Sequence, residues 1–304
     1  MIQPQLQTDV ILNMDCLAAL RTMPDESIHC CVTSPPYYAL RDYGVAGQIG
    51  QEKTPREYVD RLVAVFREMR RCLCTDGSFW LNIADSYCGK QSKWTTGSTA
   101  APFENCKPKD LHGIPWMLAF ALRKDGWFLR SDVIWVKANP VPENVKDRPT
   151  RCYEHIFLLT KSPRYYYNGV AIAEPIAAST AVRLQYGRGV SHKYSLDIPG
   201  QKHQGINDAR PNGIAEDEIP THRNKRDVWQ INTVPYKGAH FAAFPPKLAE
   251  TCIKAGCPEN GIVLDPFFGS GTTGAAAKQL GRHYVGIEIN PEYCRLAAQR
   301  IGGA

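Results

Sequence analysis

A short segment near the C-terminus combines an acidic residue, two glycines and the start of a helix. A short apolar strand leads to Asp265, the chain turns through Gly269 and Gly271, and a helix is expected from Thr272. Glycines let the backbone approach a ligand closely, and a helix N-terminus presents N–H groups that lack internal partners. Glu288 ends the next expected strand about 17 residues after Gly271, where Rossmann-type folds place a carboxylate that binds ribose hydroxyls. The pattern indicates a nucleoside-containing ligand; the alternative is a tight strand-to-helix turn with no ligand.

The second segment whose residues could take part in binding or catalysis is Ser34-Pro35-Pro36-Tyr37, which follows an apolar strand. Two prolines stiffen the backbone and remove two N–H donors, so this edge displays hydrogen-bond acceptors. Ser34 adds a hydroxyl oxygen and Tyr37 an aromatic face. Such an edge suits a planar ring that carries an exocyclic amine, because the amine can donate to Ser34 while Tyr37 stacks on the ring. Taken alone, the tetrapeptide is better explained as a proline-stiffened loop.

A third group of polar residues lies between positions 137 and 164, a stretch that contains six Lys or Arg and three Asp or Glu. Lys137, Asn139, Arg148 and Arg151 are the candidates here for contacts with nucleic-acid phosphates. For such a run of charges, an ordinary solvated face is the default interpretation.

The cysteines and histidines do not suggest a metal site. None of the 11 cysteines or eight histidines is placed at the close spacing typical of zinc ligands. We therefore expect reduced thiols, several of them buried, and no bound metal.

The elements that must position these residues alternate between strand and helix. Thr54, Pro55 and Glu57 form the signature of a helix start, and that helix is expected to end at Asp76-Gly77. Apolar spacing predicts further helices at 15–21, 114–124, 246–255, 272–280 and 291–301, and strands at 9–12, 28–32, 78–83, 128–136, 155–160, 262–264 and 283–288. This alternation predicts an α/β fold with a mostly parallel sheet.

Residues 170–231 interrupt the alternation. Only 14 of these 62 residues are Leu, Ile, Val, Phe, Met or Trp, which is too few for a core of their own. We expect an insertion at 170–231 between two halves of one catalytic domain, 1–169 and 232–304.

The overall composition is that of a globular protein with a mild positive charge. Hydrophobic residues make up 43% of the chain, which excludes a wholly disordered protein, and no apolar run reaches the roughly 18 residues of a membrane span. The net charge of +6 is compatible with a polyanionic partner. The N-terminus does not read as a secretory signal, so a cytoplasmic location is expected.

The two motifs together resemble those of the amino-group DNA methyltransferases. Phe267, Gly269 and Gly271 match the family's Phe-x-Gly-x-Gly loop for S-adenosylmethionine, and Ser34–Tyr37 match its Ser/Asp/Asn-Pro-Pro-Tyr/Phe loop for the target base. The target-base motif comes first, with the variable segment between the two, which is the arrangement of the beta class. The resemblance covers about residues 9–168 and 240–300.

This resemblance implies a Rossmann-like S-adenosylmethionine methyltransferase fold with a circularly permuted motif order and an inserted target-recognition region. It also implies that Ser34, Pro35, Pro36 and Tyr37 are catalytic. Residues 13–16 resemble an element that contacts the cofactor adenine, with Asn13 in place of the usual Gly, and residues 240–245 an element that closes over the methionine end. The implied cofactor-binding residues are Asp15, Phe244, Asp265, Phe267, Gly269, Ser270, Gly271, Thr272 and Glu288.

Within the family, Ser-Pro-Pro-Tyr is typical of enzymes that methylate N4 of cytosine, and Asp-Pro-Pro-Tyr of most that methylate N6 of adenine. The sequence therefore favours base flipping and direct methyl transfer to cytosine N4 in duplex DNA, with adenine N6 as the alternative. A protein-glutamine methyltransferase and a nucleotide-dependent oxidoreductase are less favoured, since the first has the opposite motif order and the second leaves Ser34–Tyr37 unexplained. No Pro-Cys dipeptide is present to supply the nucleophile of carbon-5 methylation.

The resemblance also suggests a setting. Double-stranded DNA is the expected partner, no membrane is expected, and a homodimer and a cognate restriction endonuclease are candidate partners within a restriction-modification system. Such a protein would be prokaryotic or phage-encoded, cytoplasmic and associated with the nucleoid.

Overall fold

The computed structural model describes residues 6–89, 106–140, 142–186, 219–233 and 244–302. Its helices are α1 (Cys16–Thr22), α2 (Pro55–Cys72), α3 (Ile114–Lys124), α4 (Ala178–Tyr186), α5 (Pro246–Gly256), α6 (Thr272–Gln279) and α7 (Pro291–Gly302), with a 3-10 turn at Val170–Ile172. Its strands are β1 (Val10–Leu12), β2 (Ile28–Thr33), β3 (Leu73–Ile83), β4 (Phe128–Val136), β5 (Tyr153–Thr160), β6 (Glu174–Pro175), β7 (His222–Arg223), β8 (Val228–Gln230), β9 (Ile262–Asp265) and β10 (His283–Ile287).

One eight-stranded sheet organises the fold, in the order β1-β10-β9-β2-β3-β5-β4-β8. The first five of these strands are mutually parallel, and β5 is antiparallel to both of its neighbours. The prediction of a mostly parallel α/β sheet is confirmed. From β9 the chain continues outward to β10, and from β2 it continues the other way to β3. The carboxyl ends of β9 and β2 therefore meet where the strand order reverses, which is where open α/β sheets bind ligands.

Helix α2 begins as predicted but ends earlier. Thr54 Oγ1 accepts from the Glu57 amide and the Glu57 carboxylate accepts from the Thr54 amide, which completes the capping box. The expected end at Asp76-Gly77 is wrong, because α2 ends at Cys72 and Leu73 already pairs with Ile28 in the sheet. The β2–β3 register then shifts, and residues 74–77 bulge out before Ser78 pairs with Cys30.

The other predicted elements are confirmed to within two residues at each end, except that β3 begins at Leu73, five residues before the start of the strand expected at 78–83. A hydrophobic core lies between the sheet and helices α1, α2 and α3 and contains large residues such as Tyr58, Phe66, Phe79 and Phe157. All eleven cysteines are free thiols. None of the described helices has the length and apolar character to cross a membrane.

The chain divides into two compact units. One comprises the residues up to Asn168 and from Asp227 onward, and the other is Gly169–Arg226. In the second unit β6 pairs with β7, and Glu174 forms ion pairs with Arg223, Lys225 and Arg226.

The last residues of the expected insertion lie in the main sheet. Strand β8 pairs with β4. The Trp229 side chain is buried, and its ring centroid lies 6.0 Å from that of Trp80, so this stretch belongs with the core and not with the insertion. Most of the expected insertion, residues 187–218, lies outside the described residues, as do residues 240–243 of the expected methionine-end element.

Candidate active site

A cavity of about 640 Å³ opens at the carboxyl ends of the central strands. It collects most of the residues that the sequence singled out: Asp15, Ser34, Pro35, Pro36, Tyr37, Lys137, Arg151, Phe244, Asp265, Phe267, Gly269, Ser270, Thr272 and Glu288. The two sequence motifs, more than 230 positions apart, therefore face one space. Gly271, Asn139 and Arg148 do not line it.

Asp265 lies at the end of β9 and is almost completely buried. Its Oδ1 accepts from Thr33 Oγ1 at 2.5 Å and from the Phe267 amide at 3.0 Å, and its Oδ2 accepts from Thr273 Oγ1 at 2.7 Å. Burial raises the pKa of Asp265 from 3.8 to about 6, and these three hydrogen bonds oppose part of that rise. The carboxylate thus ties β9 to β2 and to α6 and adds negative potential to the cavity.

The glycine-rich turn owes its shape to positive φ angles. Gly269 has φ of +51° and Gly271 has φ of +78°, a region that only glycine adopts without strain. A Cβ on Gly271 would also lie 2.8 Å from Ala297 Cβ of α7. Gly271 therefore shapes the turn and lets α7 pack closely, while the neighbouring Gly269 and Ser270 line the cavity.

Glu288 closes the side of the cavity that faces β10. Its Oε2 accepts from the Gly269 amide and its Oε1 from the Asn290 amide, both at 2.8 Å. Burial raises the pKa of Glu288, and the nearby Asp265 adds to the rise. Asn13 donates to the carbonyls of Glu288 and Ile289, which ties the end of β1 to the end of β10. A side chain at position 13 thus holds this side of the site together where the family pattern has glycine.

Asp15 contributes a third carboxylate to the same cavity. It caps α1, accepting from the Ala18 amide at 2.9 Å. Asp15, Asp265 and Glu288 therefore face one space that also contains the apolar side chains of Phe244 and Phe267. Such a lining suits a ligand with apolar rings, hydroxyl groups and positive charge.

Ser34 and Tyr37 form a directed chain of hydrogen bonds. Tyr37 Oη lies 2.6 Å from Glu154 Oε2, and Ser34 Oγ lies 3.2 Å from Tyr37 Oη. The Glu154 carboxylate only accepts, so Tyr37 donates its single proton to it, and Ser34 in turn donates to Tyr37. The lone pairs of Ser34 Oγ then remain available to a donor in the cavity. Burial and Glu154 hold the pKa of Tyr37 well above its usual range, which keeps the phenol protonated.

The two proline carbonyls of this loop differ. The Pro36 carbonyl accepts from Tyr58 Oη of α2 at 2.8 Å, which anchors the loop to the core. Among the described residues, no donor reaches the Pro35 carbonyl. Ser34 Oγ and the Pro35 carbonyl are therefore the two acceptors that the rigid edge offers.

The Glu154 network contains residues whose site role the sequence did not reveal. Glu154 Oε1 pairs with Lys137 Nζ, and Asn82 Nδ2 donates to Glu154 Oε2 at 2.9 Å. Lys137 also lies 5.0 Å from the centroid of the Trp135 ring. Lys137 thus supports the Tyr37 hydroxyl through Glu154 instead of pointing freely at solvent. Asn82 lies in β3, Glu154 in β5 and Lys137 directly after β4. The antiparallel registers of β5 with β3 and with β4, which sequence spacing does not supply, bring them together.

The remaining candidates for DNA contact have distinct surroundings. Asn139 exchanges hydrogen bonds with the Thr233 backbone, donating to its carbonyl and accepting from its amide. Arg148 pairs with Glu143 at 2.7 Å, and its guanidinium lies 4.3 Å from the centroid of the Tyr87 ring. Arg151 lines the cavity, and its Nη1 is buried with no hydrogen-bond partner among the described residues. Of the four, Arg151 has the clearest unmet capacity to donate to a ligand.

Further lining residues escaped the sequence analysis. Arg41, Tyr43 and Tyr293 line the cavity, and the rings of Tyr43 and Tyr293 meet edge to face at 6.3 Å. These residues lie in a loop and at a helix start, where no residue-type pattern marks them.

Comparison with known proteins agrees on one family. A family model described as DNA methylase matches residues 28–299. The type II methyltransferase M.SmaI of Serratia marcescens is 43% identical over 310 residues, covering 99% of this chain and 93% of that protein. The type II methyltransferase M.Cfr9I of Citrobacter freundii is 41% identical over 309 residues, covering 98% and 89%.

Solved structures share the fold at low sequence identity. The PvuII DNA methyltransferase, described as cytosine-N4-specific, superposes with a TM-score of 0.64 at 21% identity and covers 97% of this chain and 87% of that one. A complex of M1.HpyAVI with S-adenosylmethionine superposes with a TM-score of 0.55 at 18% identity, covering 96% and 98%. The Rossmann-like fold expected from the sequence is confirmed.

Proposed function

Since the chain belongs to the DNA methylase family, whose members methylate amino groups of bases, we propose that it transfers a methyl group from S-adenosylmethionine to N4 of cytosine in duplex DNA. The observation that carries this proposal is the meeting of two sites in one cavity. The Ser34–Tyr37 edge and the Asp265–Thr272 turn lie at the carboxyl ends of the adjacent strands β2 and β9 and line the same space.

The residues around the Gly-rich turn fit S-adenosylmethionine. We assign its ribose to Glu288, its adenine to the side near Asp15 and its methionine end to the turn beside Asp265. The carboxylates suit a cationic ligand, and Phe244 and Phe267 suit its apolar parts. Ser270 and Thr272 are positioned by Arg300 of α7, which donates to both hydroxyls. When bound, S-adenosylmethionine supplies an electrophilic methyl group on a sulfonium sulfur.

The Ser34–Tyr37 edge supports a role in holding the amine of an extruded base. Ser34 Oγ and the Pro35 carbonyl are two acceptors with fixed directions, and they can bind the two N–H groups of one amine. These hydrogen bonds would pull the amine toward tetrahedral geometry. Its nitrogen lone pair is then less conjugated with the ring and can be directed at the methyl group. Tyr37 would stack on the base and offset part of the few kcal/mol that extruding it costs. Acceleration would then come from positioning, with no covalent enzyme intermediate.

The preference for cytosine rests on the first residue of the tetrapeptide and on a structural neighbour. Ser34 stands where most adenine-methylating relatives have Asp, and the PvuII enzyme is described as cytosine-N4-specific. Adenine N6 in the same site is the competing assignment.

Contact with DNA phosphates is assigned to Arg151 first, because its buried Nη1 lacks a partner among the described residues, and to Arg148 second. Lys137 is no longer assigned to phosphate contact, because its ammonium group pairs with the Glu154 carboxylate. We further propose that the unit Gly169–Arg226 carries target recognition, and that the enzyme protects sites from a cognate restriction endonuclease, as the type II names of its relatives suggest.

Product analysis tests the assignment of the base. Duplex DNA is incubated with the protein and S-adenosylmethionine, digested to nucleosides, and analysed by chromatography with mass detection. The expected product is N4-methyldeoxycytidine, which chromatography separates from its isomer 5-methyldeoxycytidine. N6-methyldeoxyadenosine as the product would overturn the cytosine assignment, and a parallel reaction without S-adenosylmethionine controls for pre-existing methylation.

A further inference from the structure

A cluster of two thiols and an imidazole lies outside the methyltransferase cavity. Cys88, Cys106 and His112 each offer one possible ligand atom, a sulfur or a ring nitrogen, and these atoms all lie within 4.8 Å of one another. None of the three lines the cavity described above. Four-coordinate zinc with bonds of about 2.0–2.3 Å places its ligand atoms about 3.3–3.8 Å apart, so a contraction of at most about 1.0–1.5 Å would suffice.

The backbone holds this cluster in place. Tyr87 forms a bridge with Leu111, the Cys88 amide donates to the Asp110 carbonyl, and the His112 amide donates to the Ser86 carbonyl. The segments on both sides of the cluster are therefore fixed by main-chain hydrogen bonds. Helix α3 begins directly after it, capped by Asp85, which accepts from the amides of Gly113 and Ile114.

His112 is oriented as a ligand. Its Nδ1 lies 3.1 Å from both the carbonyl oxygen and the Oγ of Ser86; the carbonyl oxygen only accepts, so we assign the ring proton to Nδ1, with the hydroxyl oxygen as a second acceptor. The lone pair of the neutral ring then lies on Nε2. This atom is buried and has no hydrogen-bond partner among the described residues. A histidine whose Nδ1 donates to a carbonyl while Nε2 is left free has the arrangement that metal-binding histidines use.

The surroundings favour a cation. The carboxylates of Asp85 and Asp110 are close enough to act electrostatically on the Cys106 thiol. The nearby Lys109 ammonium pairs with Asp147 at 2.6 Å, which offsets its charge. Two sulfur ligands and one imidazole are a donor set typical of zinc, which thiolates bind strongly.

We propose that Cys88, Cys106 and His112 bind one Zn²⁺ ion, with water in the fourth position. The ion would cross-link the end of the β3 loop to the segment that leads into α3. Its role would be structural, because none of the three ligands lines the cavity that contains Ser34 and Asp265. The spacing of the three residues, 18 and 6 positions, matches no short zinc motif, which is why the sequence predicted no metal site.

Cobalt binding to the full chain tests this proposal independently of any methyltransferase activity. Protein purified under reducing conditions is stripped with a chelator and titrated with Co²⁺ while the absorption spectrum is recorded. The expected result is saturation at one Co²⁺ per chain, with intense thiolate-to-cobalt charge transfer, tetrahedral d–d bands, and displacement by Zn²⁺. Absence of saturable binding or of thiolate charge transfer in the wild-type protein would overturn the proposal.

Single variants then locate the site among eleven cysteines. Cys106→Ser and His112→Gln should each weaken Co²⁺ binding by about tenfold or more, while Cys74→Ser, a half-exposed thiol outside the cluster, should bind as the wild type does. Wild-type binding in Cys106→Ser, or loss of binding in Cys74→Ser, would contradict the assignment. Circular dichroism confirms folding, and if Cys106→Ser does not fold, His112→Gln and the wild-type titration decide.

Discussion

The ionisation of Asp265 should make both the stability of the protein and the binding of a cationic ligand depend on pH. Burial raises its pKa to about 6, so the folded protein holds this proton more tightly than the unfolded chain does. The contribution of Asp265 to the free energy of unfolding is therefore fully present below about pH 4 and is lost as the pH rises through about 6. In the folded protein without ligand, burial favours the protonated form of Asp265. A bound cationic ligand favours the ionised form instead, because it stabilises the carboxylate charge.

Cofactor affinity should follow that ionisation. Raising the pH from about 5 to about 7 should tighten S-adenosylmethionine binding by up to about tenfold, the change in the ionised fraction of a group with this pKa. Calorimetric titration at each pH measures it. Asp265→Asn should bind more weakly and show a flatter profile, the remaining slope belonging to Glu288. An unchanged pH profile in Asp265→Asn would show that another group controls binding.

Tyr37 combines a ring and a hydroxyl, and two variants separate their contributions. Tyr37→Ala removes the stacking surface and should weaken binding of duplex DNA by about 1–3 kcal/mol, with partial recovery on a duplex whose target base is mismatched. Tyr37→Phe keeps the ring and should retain DNA affinity while slowing methyl transfer, because the Ser34 hydroxyl loses its acceptor. Equal loss of DNA affinity in both variants would argue against stacking.

At the level of elements, the packing of α7 on the Gly-rich turn depends on Gly271. Gly271→Ala combines a positive φ with a contact of 2.8 Å to Ala297 Cβ, so it should destabilise the protein by about 2–4 kcal/mol. Gly281 is the matched control, because its φ of +67° is similar but a Cβ there would meet nothing within 4 Å. Gly281→Ala should cost only the backbone penalty of about 1–2 kcal/mol.

Denaturant titration of both variants measures the difference. Equal destabilisation would mean that α7 moves away freely and that the close contact with Ala297 is unimportant. A destabilised Gly271→Ala with unchanged cofactor affinity would support a shaping role for this glycine over a binding one.

Local signals predicted the start of α2 but not the boundary between α2 and β3. Thr54 and Glu57 fixed the start of α2 correctly, because a capping box involves only neighbours in sequence. Leu73 continues the helical spacing of Tyr58, Leu62 and Met69, yet it lies in β3 because it pairs with Ile28. The spacing of apolar residues cannot show that a residue will pair with a strand that is distant in sequence.

The same distinction explains which site residues were predicted. The residues of the two motifs were found because each motif is contiguous and has a recognisable chemical purpose. Lys137 was predicted to contact phosphate and Glu154 was only one of three acidic residues in the same stretch, since their pairing depends on how β4 lies against β5. Arg41, Tyr43 and Tyr293 carry no pattern at all, and only the folded cavity reveals them.

At the scale of the whole molecule, catalysis and recognition are assigned to different units. Every described residue that lines the cavity belongs to the unit formed by residues up to Asn168 and from Asp227 onward. Replacing Gly169–Arg226 by a flexible linker should therefore abolish site-selective methylation and leave S-adenosylmethionine affinity within a few-fold of wild type. Sequencing of methylated positions and calorimetry measure the two effects. Loss of cofactor binding in a variant that still folds would contradict this division.

The central claim is that Ser34 Oγ accepts a hydrogen bond from the target amine during methyl transfer. The rate of methyl transfer in a single turnover on duplex DNA tests it most directly, with DNA affinity measured in parallel. Ser34→Ala should slow the chemical step by about 10- to 100-fold, the loss of one buried hydrogen bond, and change DNA affinity little. Ser27→Ala, which removes a hydroxyl bonded to the Pro24 carbonyl outside the cavity, should react at the wild-type rate. A wild-type rate in Ser34→Ala would contradict the account, because the amine would then be held without the Ser34 hydroxyl.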